Sequence, residues 1–312
     1  MAKINVKAFP EVAAADLARL GERKKGLNEV QQFLSRFGYI QSGIFKSGEL
    51  DTPTSDALRK YQERNGLPTT GEFDSATRDQ MTTHRCALPD VQNDVAFATR
   101  CSWDRRRLTY AFNNGTNDTA GQEEFQAVRH AFRTWATIVP ITFTEVGVNA
   151  NPDIVIDWRN ANDPDLSMVG GTLAHADFPQ GCGVVTNNFP KPIHFDDSEH
   201  MWSIGPVSGA FDIETVALHE IGHILGLGHT NVTGAVMFPS VSDNFTLRTL
   251  QPDDIAGVRS LYFYPPAVAA WSSNRLDIFG LGTDWAMYHK AWDGSTWRPS
   301  LTDWEGLGGV FS

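Results

Sequence analysis

The chain has 312 residues, of which 41% are hydrophobic and 20% charged, and its formal net charge at pH 7 is −11. This composition is typical of a soluble globular protein, and the length favours two domains. The acidic balance argues against nucleic acid or an anionic membrane as partner, because both repel negative charge. No apolar run approaches the ~18 residues of a membrane span, and we expect a monomer.

The N-terminal part is predicted to be a small helical unit. Residues 1–25 are polar, end in a charged run, and are interpreted as a solvated lead-in. Three short helices are predicted from apolar spacing and from a capping aspartate, at about residues 30–37, 54–64 and 74–81. The stretch 28–81 resembles the three-helix peptidoglycan-binding-like fold. Taken alone it indicates a cell-wall-binding module within an N-terminal domain of residues 1–91.

A cysteine-containing segment, Arg85-Cys86-Ala87-Leu88-Pro89-Asp90-Val91, closes this domain. It resembles the cysteine switch of matrix metalloproteinase propeptides, in which a thiolate occupies a zinc position of the enzyme and keeps it latent. The resemblance implies that Cys86 is a zinc ligand and that Arg85 and Asp90 form a salt bridge. Ala87 stands where the family has glycine, which can adopt conformations that alanine disfavours. The alternative is a free buried cysteine, the usual state of a lone thiol.

Residues 92–104 are polar and are predicted to be a connector that contains the activation site. After them the pattern predicts a strand, a long amphipathic helix and two further strands. These elements are placed at about residues 108–112, 125–135, 141–145 and 154–158. Their order resembles the first half of a matrixin catalytic domain, which we assign to residues 105–264.

Two histidines in the next segment resemble the structural zinc ligands of that family, namely His175 in Leu-Ala-His-Ala and His194 in His-Phe-Asp-Asp. The family's upstream histidine–aspartate pair is missing, and the loop 153–175 is about three residues short. Asp163 and Asp165 are the nearby carboxylates that can substitute, since carboxylate is an acceptable zinc donor. Either a modified second zinc site persists or His175 only forms hydrogen bonds.

The same resemblance implies a calcium site at Asp196 and Glu199, whose hard oxygens suit that ion. Of the three cysteines, Cys101 and Cys182 can pair across this region, but no spacing rule requires it. An odd number leaves at least one thiol unpaired within the monomer.

The strongest motif runs from His219 to His229 in the spacing H-E-x-x-H-x-x-G-x-x-H. Residues four apart lie on one face of a helix, so His219 and His223 can bind one zinc ion. Gly226 can end the helix and bring His229 round as third ligand. Three protein ligands leave a tetrahedral position for water, and Glu220 is placed to take a proton from it. The alternative is a core helix whose histidines bond only to backbone.

Residues near this motif narrow its resemblance to the matrixin branch of the metzincins. Met237, followed by Phe-Pro, resembles the Met-turn below the zinc site, and Thr230 follows the third histidine as serine or threonine does in matrixins. Thr215, four residues before His219, would line the S1′ pocket. Residues 250–262 are predicted to be the closing helix.

The tail, residues 265–312, is rich in tryptophan and predicts short strands with hairpin turns. It contains five of the nine tryptophans of the chain: Trp271, Trp285, Trp292, Trp297 and Trp304. It resembles one repeat of the fucose-binding β-propeller lectins, which implies contact with a glycan. One blade cannot bury both its faces, so it belongs to a longer parent or packs on another surface.

Together these patterns predict an α+β fold: a three-helix prodomain, a catalytic domain with a mixed five-stranded sheet and three helices, and a short all-β blade. The expected function is that of a latent zinc metalloendopeptidase acting on proteins or peptides. The resemblance implies an extracellular location, although the N-terminus lacks the apolar core of a secretory signal. The competing hypothesis is a carbohydrate- or cell-wall-binding protein in which the zinc motif is only structural.

Overall fold

A computed structural model of the chain describes residues 8–91, 101–262, 266–282 and 286–309. Residues 1–7, most of the predicted connector (92–100) and Trp285 of the tail lie outside the described residues. Within the described ranges, no helix is long and apolar enough to cross a membrane.

The chain begins with four helices, continues with a mixture of strands and helices, and ends with five strands. The helices are α1 (Pro10–Ala13), α2 (Leu27–Arg36), α3 (Thr52–Arg64), α4 (Ser75–Met81), α5 (Glu123–Ala136), α6 (Ile213–Ile224) and α7 (Pro252–Tyr262), with a 3₁₀ turn at Val148–Ala150. The strands are β1 (Arg107–Phe112), β2 (Thr142–Glu145), β3 (Ile154–Arg159), β4 (Ala174–Ala176), β5 (Lys191–Asp196), β6 (Trp202–Ser203), β7 (Phe211–Asp212), β8 (Ala267–Ser272), β9 (Arg275–Leu281), β10 (Met287–Trp292), β11 (Trp297–Arg298) and β12 (Glu305–Gly308).

The N-terminal unit contains the three predicted helices, as α2, α3 and α4. Asp51 and Asp74 cap the last two by accepting backbone N–H bonds from Thr54 and Thr77. The interpretation of residues 1–25 as a solvated lead-in is wrong for the described part. Phe9 is buried and packs edge-on against Phe33 of α2, with ring centroids 4.9 Å apart. About half of the residues in this segment are hydrophobic, and Ala8, Val12 and Ala15 are buried together with Phe9, so its apolar content rather than its charged end decides how it packs.

The predicted mixed five-stranded sheet is confirmed, with strand order β2-β1-β3-β5-β4. All neighbours are parallel except β4, which runs antiparallel to β5 at the edge. Helices α5 and α6 pack on the sheet through a large apolar core. Trp135 of α5, fully buried, donates from Nε1 to the carbonyl of Leu218 at 2.8 Å and so ties the two helices together.

The tail forms an antiparallel sheet from β8 to β12, in agreement with the predicted all-β segment. Several of its large apolar side chains face solvent, and Trp271 is 75% exposed. The likeness to a lectin repeat stays a prediction.

Candidate metal centre and active site

Helix α6 positions the first two histidines of the motif. Asp212 caps its N-terminus by accepting from the backbone N–H of Thr215 at 3.0 Å, and every residue of the helix is buried. His219 and His223 lie one turn apart, with their Nε2 atoms 3.0 Å from each other. The helical period therefore brings the two imidazoles to one point.

The turn after α6 brings in the third histidine. The helix ends at Ile224, and Gly226 has φ +95. A Cβ on Gly226 would lie 1.9 Å from the carbonyl oxygen of Cys101, so only glycine fits here. As predicted from the sequence, the chain then reverses, and the ring of His229 lies 5.2 Å from that of His219 and 4.9 Å from that of His223.

Each of the three imidazoles is oriented through its Nδ1 atom. Nδ1 lies 2.7 Å from the carbonyl of Val236 for His219, and 2.7 Å from that of Leu227 for His223. For His229 the partner is a carboxylate oxygen of Asp90, at 2.8 Å. With Nδ1 engaged in this way, Nε2 of each ring is left to face the centre, as a metal site requires.

Burial favours the neutral form of His219 and His229, which is the form that binds metals. It lowers the pKa of His219 to about 3, and it lowers the pKa of His229 as well. The Nε2 atom of His229 has no hydrogen-bond partner among the described residues. An orphaned buried nitrogen that faces two further imidazoles fits a zinc ion, whose usual donors include histidine nitrogen.

Cys86 and Glu220 complete the centre. The thiol sulfur of Cys86 lies 3.5 Å from Nε2 of His223 and 3.9 Å from a carboxylate oxygen of Glu220. Ligand atoms of Cys86 and the three histidines all lie within 4.8 Å of one another. Burial, and secondly the nearby Glu220, raise the pKa of the Cys86 thiol. Burial also raises the pKa of Glu220, to about 8. A metal ion would oppose the rise at Cys86, because it binds the thiolate.

Met237 packs directly beneath the histidine helix. It is 2% exposed, and a Cβ on Gly222 would lie 2.2 Å from its sulfur. The carboxylate of Asp254 accepts the backbone N–H groups of both Val236 and Met237. The turn is thus held from α7, and Gly222 makes room for the thioether.

The cysteine segment lies in the cleft between two walls and contacts both through backbone hydrogen bonds. On one side, Ala87 donates to the carbonyl of Ala174 at 2.9 Å, and Arg85 forms a parallel bridge with Thr172. On the other side, Cys86 donates to the carbonyl of Pro239 at 3.0 Å. Ala87 is not among the described non-glycine residues with positive φ, so alanine is accommodated in this position.

A buried ion pair holds the shape of this segment. The Arg85 guanidinium bonds to Asp90, and both side chains are at most 3% exposed. Tyr39 of the N-terminal unit donates its hydroxyl to the other oxygen of Asp90 at 2.7 Å. Burial opposes ionisation, but Arg85 and then His229 hold the pKa of Asp90 well below its usual range. Asp90 therefore links the N-terminal unit, the cysteine segment and the third histidine.

A cavity of about 260 Å³ opens beside the centre. Its lining includes Thr215, Val216 and Leu247, together with the segment 233–242. Its surface is mostly apolar in character, which favours a nonpolar side chain as occupant.

A second cluster joins Asp163, His175 and His194. A carboxylate oxygen of Asp163 lies 2.6 Å from Nδ1 of His194 and 3.2 Å from Nε2 of His175. Asp165, the other candidate, is 44% exposed in its side chain and lies 3.7 Å from His194. Arg159 also contacts Asp163, at 3.3 Å. The donor set of one carboxylate and two imidazoles fits zinc, and it equally forms a hydrogen-bonded network.

A third cluster contains Asp196 and Glu199, together with His200, which sequence reasoning missed. Asp196 is fully buried, and its Oδ2 atom has no hydrogen-bond partner among the described residues. Burial raises the pKa of Asp196 to about 6. The Nε2 atom of His200 lies 3.6 Å from Oδ2 of Asp196. A buried carboxylate oxygen that accepts no hydrogen bond fits a hard cation such as calcium.

Cys101 and Cys182 form a disulfide across 81 residues, leaving Cys86 as the free cysteine. Two further contacts of the centre had no signal in the sequence. Arg64 of α3 donates to the carbonyl of His229 at 2.6 Å, and Asp90 reaches the same histidine. Such contacts join residues more than a hundred positions apart, beyond the reach of any local pattern.

Comparison with known proteins agrees with this arrangement. A family model described as Matrixin matches residues 102–263, and one described as Putative peptidoglycan binding domain matches residues 23–81. Metalloendoproteinase 1-MMP of Arabidopsis thaliana is 35% identical over 268 residues, which cover 78% of this chain and 71% of the plant protein. Matrix metalloproteinase-19 of Homo sapiens is 33% identical over 249 residues, covering 77% of this chain and 47% of the human protein.

Proposed function

The chain belongs to the matrixin family, and we propose that it is a zinc-dependent metalloendopeptidase made in a latent form. The observation that supports this best is the convergence of three imidazoles, one thiol and one carboxylate within a buried centre. We assign His219, His223 and His229 as zinc ligands. Burying these polar side chains costs free energy that apolar residues would not cost, so their presence here indicates a chemical role.

Glu220 is proposed as the catalytic residue. When bound, zinc supplies Lewis-acid activation of water and of the scissile carbonyl. Glu220 lies beside the ligand cluster, and burial raises its pKa to about 8. A carboxylate tuned towards neutral pH is suited to accept a proton from water and return it to the leaving amine.

The substrate is proposed to be an extended polypeptide lying along strand β4. The edge of the sheet at Leu173 and Ala174 already pairs with an extended segment, since Leu173 donates to the carbonyl of Arg85 at 2.8 Å. Once that segment leaves, its backbone partners are available to a peptide of similar conformation. The apolar cavity at Thr215 is proposed as the pocket for the side chain after the scissile bond.

Latency is proposed to reside in Cys86, which lies where water and substrate must enter. The test compares uncut wild-type protein with Cys86→Ser, measuring zinc content and cleavage of a quenched fluorescent peptide. We expect one catalytic zinc in both, a silent wild type and an active variant. Equal activity of the two uncut proteins would leave the N-terminal unit as a binding module only.

Glu220→Gln in the Cys86→Ser background tests the catalytic assignment. We expect zinc to remain and cleavage to fall by at least about a hundredfold, the lower contribution expected of a general base. If this double variant still cleaves casein or gelatin at the rate of Cys86→Ser, the role given to Glu220 is wrong.

Two further metal assignments are proposed at the other clusters. His175 and His194, with Asp163, would hold a structural zinc, and Asp196 with Glu199 would hold calcium. Asp163→Ala should reduce the zinc count from two to one per chain by elemental analysis. A wild type that contains a single zinc ion would instead favour the hydrogen-bonded network.

An extracellular location is proposed because the Cys101–Cys182 disulfide is typical of oxidising compartments. A second function, binding of cell-wall glycan, is favoured by the match of residues 23–81 to a peptidoglycan-binding domain. The tail adds a further candidate glycan contact. If wall binding is the whole function, Glu220→Gln will sediment with peptidoglycan as wild type does, and no variant will cleave protein.

A further inference from the structure

The Cys101–Cys182 disulfide ties the loop 177–190, between β4 and β5, to the residues that follow 92–100 in the chain. Both cysteines are half-buried. A second attachment lies beside the disulfide, because the ring of Phe189 stacks on that of Trp103 with centroids 5.8 Å apart. Residues 101–103, which carry both attachments, are called the anchor segment below.

The anchor segment contacts the end of helix α6. Trp103 donates from Nε1 to the carbonyl of Ile224 at 2.7 Å. The hydroxyl of Tyr262, in α7, accepts the backbone N–H of Trp103 at 3.3 Å and donates to the carbonyl of Leu225 at 2.9 Å. The last carbonyls of a helix lack partners within it. The anchor segment and α7 therefore supply donors to the end of the histidine helix.

Cys101 itself packs on the turn that follows α6. A Cβ on Gly226 would lie 1.9 Å from the carbonyl oxygen of Cys101, so the two backbones are in close contact. The carbonyl of the next residue, Leu227, lies 2.7 Å from Nδ1 of His223. Cys101 thus packs on the turn whose carbonyl orients a proposed zinc ligand, and such orienting partners affect metal affinity strongly.

In the latent form the N-terminal unit supports the same centre from another side. Asp90 lies 2.8 Å from Nδ1 of His229, and Arg64 donates to the carbonyl of His229 at 2.6 Å. The sulfur of Cys86 lies 3.5 Å from Nε2 of His223. These contacts are lost when the N-terminal unit leaves, so the activated enzyme depends more on the anchor segment for the geometry of its ligands.

We propose that the Cys101–Cys182 disulfide positions the turn 225–227 and so retains the catalytic zinc of the activated enzyme, which makes that enzyme sensitive to thiols. The inference rests on the zinc site proposed above. Two molecules of a small thiol such as glutathione would reduce the bond. They join as one disulfide and transfer two electrons and two protons, and Cys101 and Cys182 each become a thiol. The anchor segment then loses its covalent attachment to the loop 177–190.

The test measures transfer of zinc from activated protein to an excess of a chromogenic chelator. The parent is the full chain with Cys86→Ser, and the variant adds Cys101→Ser and Cys182→Ser, which leaves no thiol at any position. We expect zinc to leave the variant about 10–100 times faster, the range by which a lost orienting partner lowers metal affinity. Zinc released by His223→Ala, whose catalytic site is broken, is subtracted to correct for other sites.

Leu108→Ala in the parent separates positioning of the turn from a general loss of stability. Leu108 is fully buried in β1, and its truncation should lower the unfolding temperature about as much as loss of the disulfide does. It should nevertheless release zinc at the parent rate. The proposal is overturned if Leu108→Ala and the serine variant accelerate zinc release equally, or if the serine variant releases zinc as the parent does.

Reduction of the folded wild type covers the case in which the serine variant does not fold. A water-soluble phosphine is used because thiolates themselves bind zinc; it becomes the phosphine oxide, and water supplies the oxygen and the two protons. Activated wild type should then release zinc with the same acceleration, and uncut protein with a smaller one. Complete reduction without faster release, or an equal effect before activation, would overturn the proposal.

The zinc content of activated wild type distinguishes failure of this inference from failure of the proposed function. If His223→Ala and wild type contain the same amount of zinc, the catalytic site is wrong and both proposals fall. If wild type holds the additional zinc and cleaves peptide, but loss of the disulfide leaves zinc release unchanged, only the role of the disulfide is refuted.

Discussion

Asp90→Asn should open the latent form without affecting the activated enzyme. Asp90 neutralises the buried Arg85 guanidinium and accepts a bond at Nδ1 of His229. Asparagine has the same shape but no charge, so in the closed state the partners that Arg85 keeps among the described residues are the carbonyl of Cys86 and the rings of Phe37 and Phe33. In the open state both charges are hydrated, and the substitution is nearly neutral.

The magnitude follows from burial. Breaking a buried ion pair by removing one partner costs about 3–5 kcal/mol, and the amide recovers part of this as a hydrogen bond. A net cost of about 3 kcal/mol changes the closed-to-open equilibrium roughly a hundredfold. Tyr39→Phe, which removes only the hydroxyl bond to the charged Asp90, should cost about 2 kcal/mol and change the equilibrium about thirtyfold.

The assay is the initial rate of peptide cleavage by uncut protein, divided by the rate of the same sample after proteolytic activation. Asp79→Asn is the matched control, since Asp79 is an exposed carboxylate of the same unit. We expect the ratio to rise about a hundredfold for Asp90→Asn and to stay at the wild-type value for the control. An Asp90→Asn protein that is folded, binds zinc and remains as latent as wild type would refute the role of this ion pair.

The remaining predictions concern helix α6, which bears the first two histidines, and the proposed catalytic zinc. Gly226→Ala should destabilise the chain by more than about 1 kcal/mol and reduce its zinc content, because the added Cβ would meet the carbonyl of Cys101. Thermal unfolding and elemental analysis measure the two effects. The control Gly121→Ala, at a positive φ with nothing within 4 Å, should cost less. Asp212→Ala should lower stability by about 0.5–2 kcal/mol through loss of the helix cap, and Asp212→Asn, which keeps the capping oxygen, should lower it less. Burial acts to raise the pKa of Asp212, but hydrogen bonds from Arg248 and Thr215 outweigh it and lower the pKa. The ionised carboxylate of Asp212 therefore stabilises the fold fully above its unfolded pKa of about 3.9, and this stabilisation is lost as the pH falls below that value. The stability difference between wild type and Asp212→Asn should thus be constant from pH 7 to about 5 and shrink below about 4. Treatment of activated enzyme with a zinc chelator should abolish cleavage, and added zinc should restore it; activity that survives complete zinc removal would contradict the metal mechanism.

Local patterns in the sequence predicted most of the elements and which histidines meet at the main centre. The spacing of His219 and His223 needs only the helical period, and Gly226 needs only its freedom of conformation to end the helix. The three helices of the N-terminal unit were likewise predicted from apolar spacing and capping aspartates. Each of these features depends on residues close together in the chain.

Only the tertiary structure decided which distant groups meet. Asp163 rather than Asp165 joins His175 and His194, since the side chain of Asp163 is fully buried whereas that of Asp165 is 44% exposed. Asp90 orients His229 from 139 residues away, and Arg36 reaches the loop 167–172 from more than 130 residues away. The burial of Phe9 likewise depends on packing against α2, which lies almost twenty residues further along the chain. A local pattern encodes which face of an element is apolar, but the pairing of such faces is settled by packing of the whole chain.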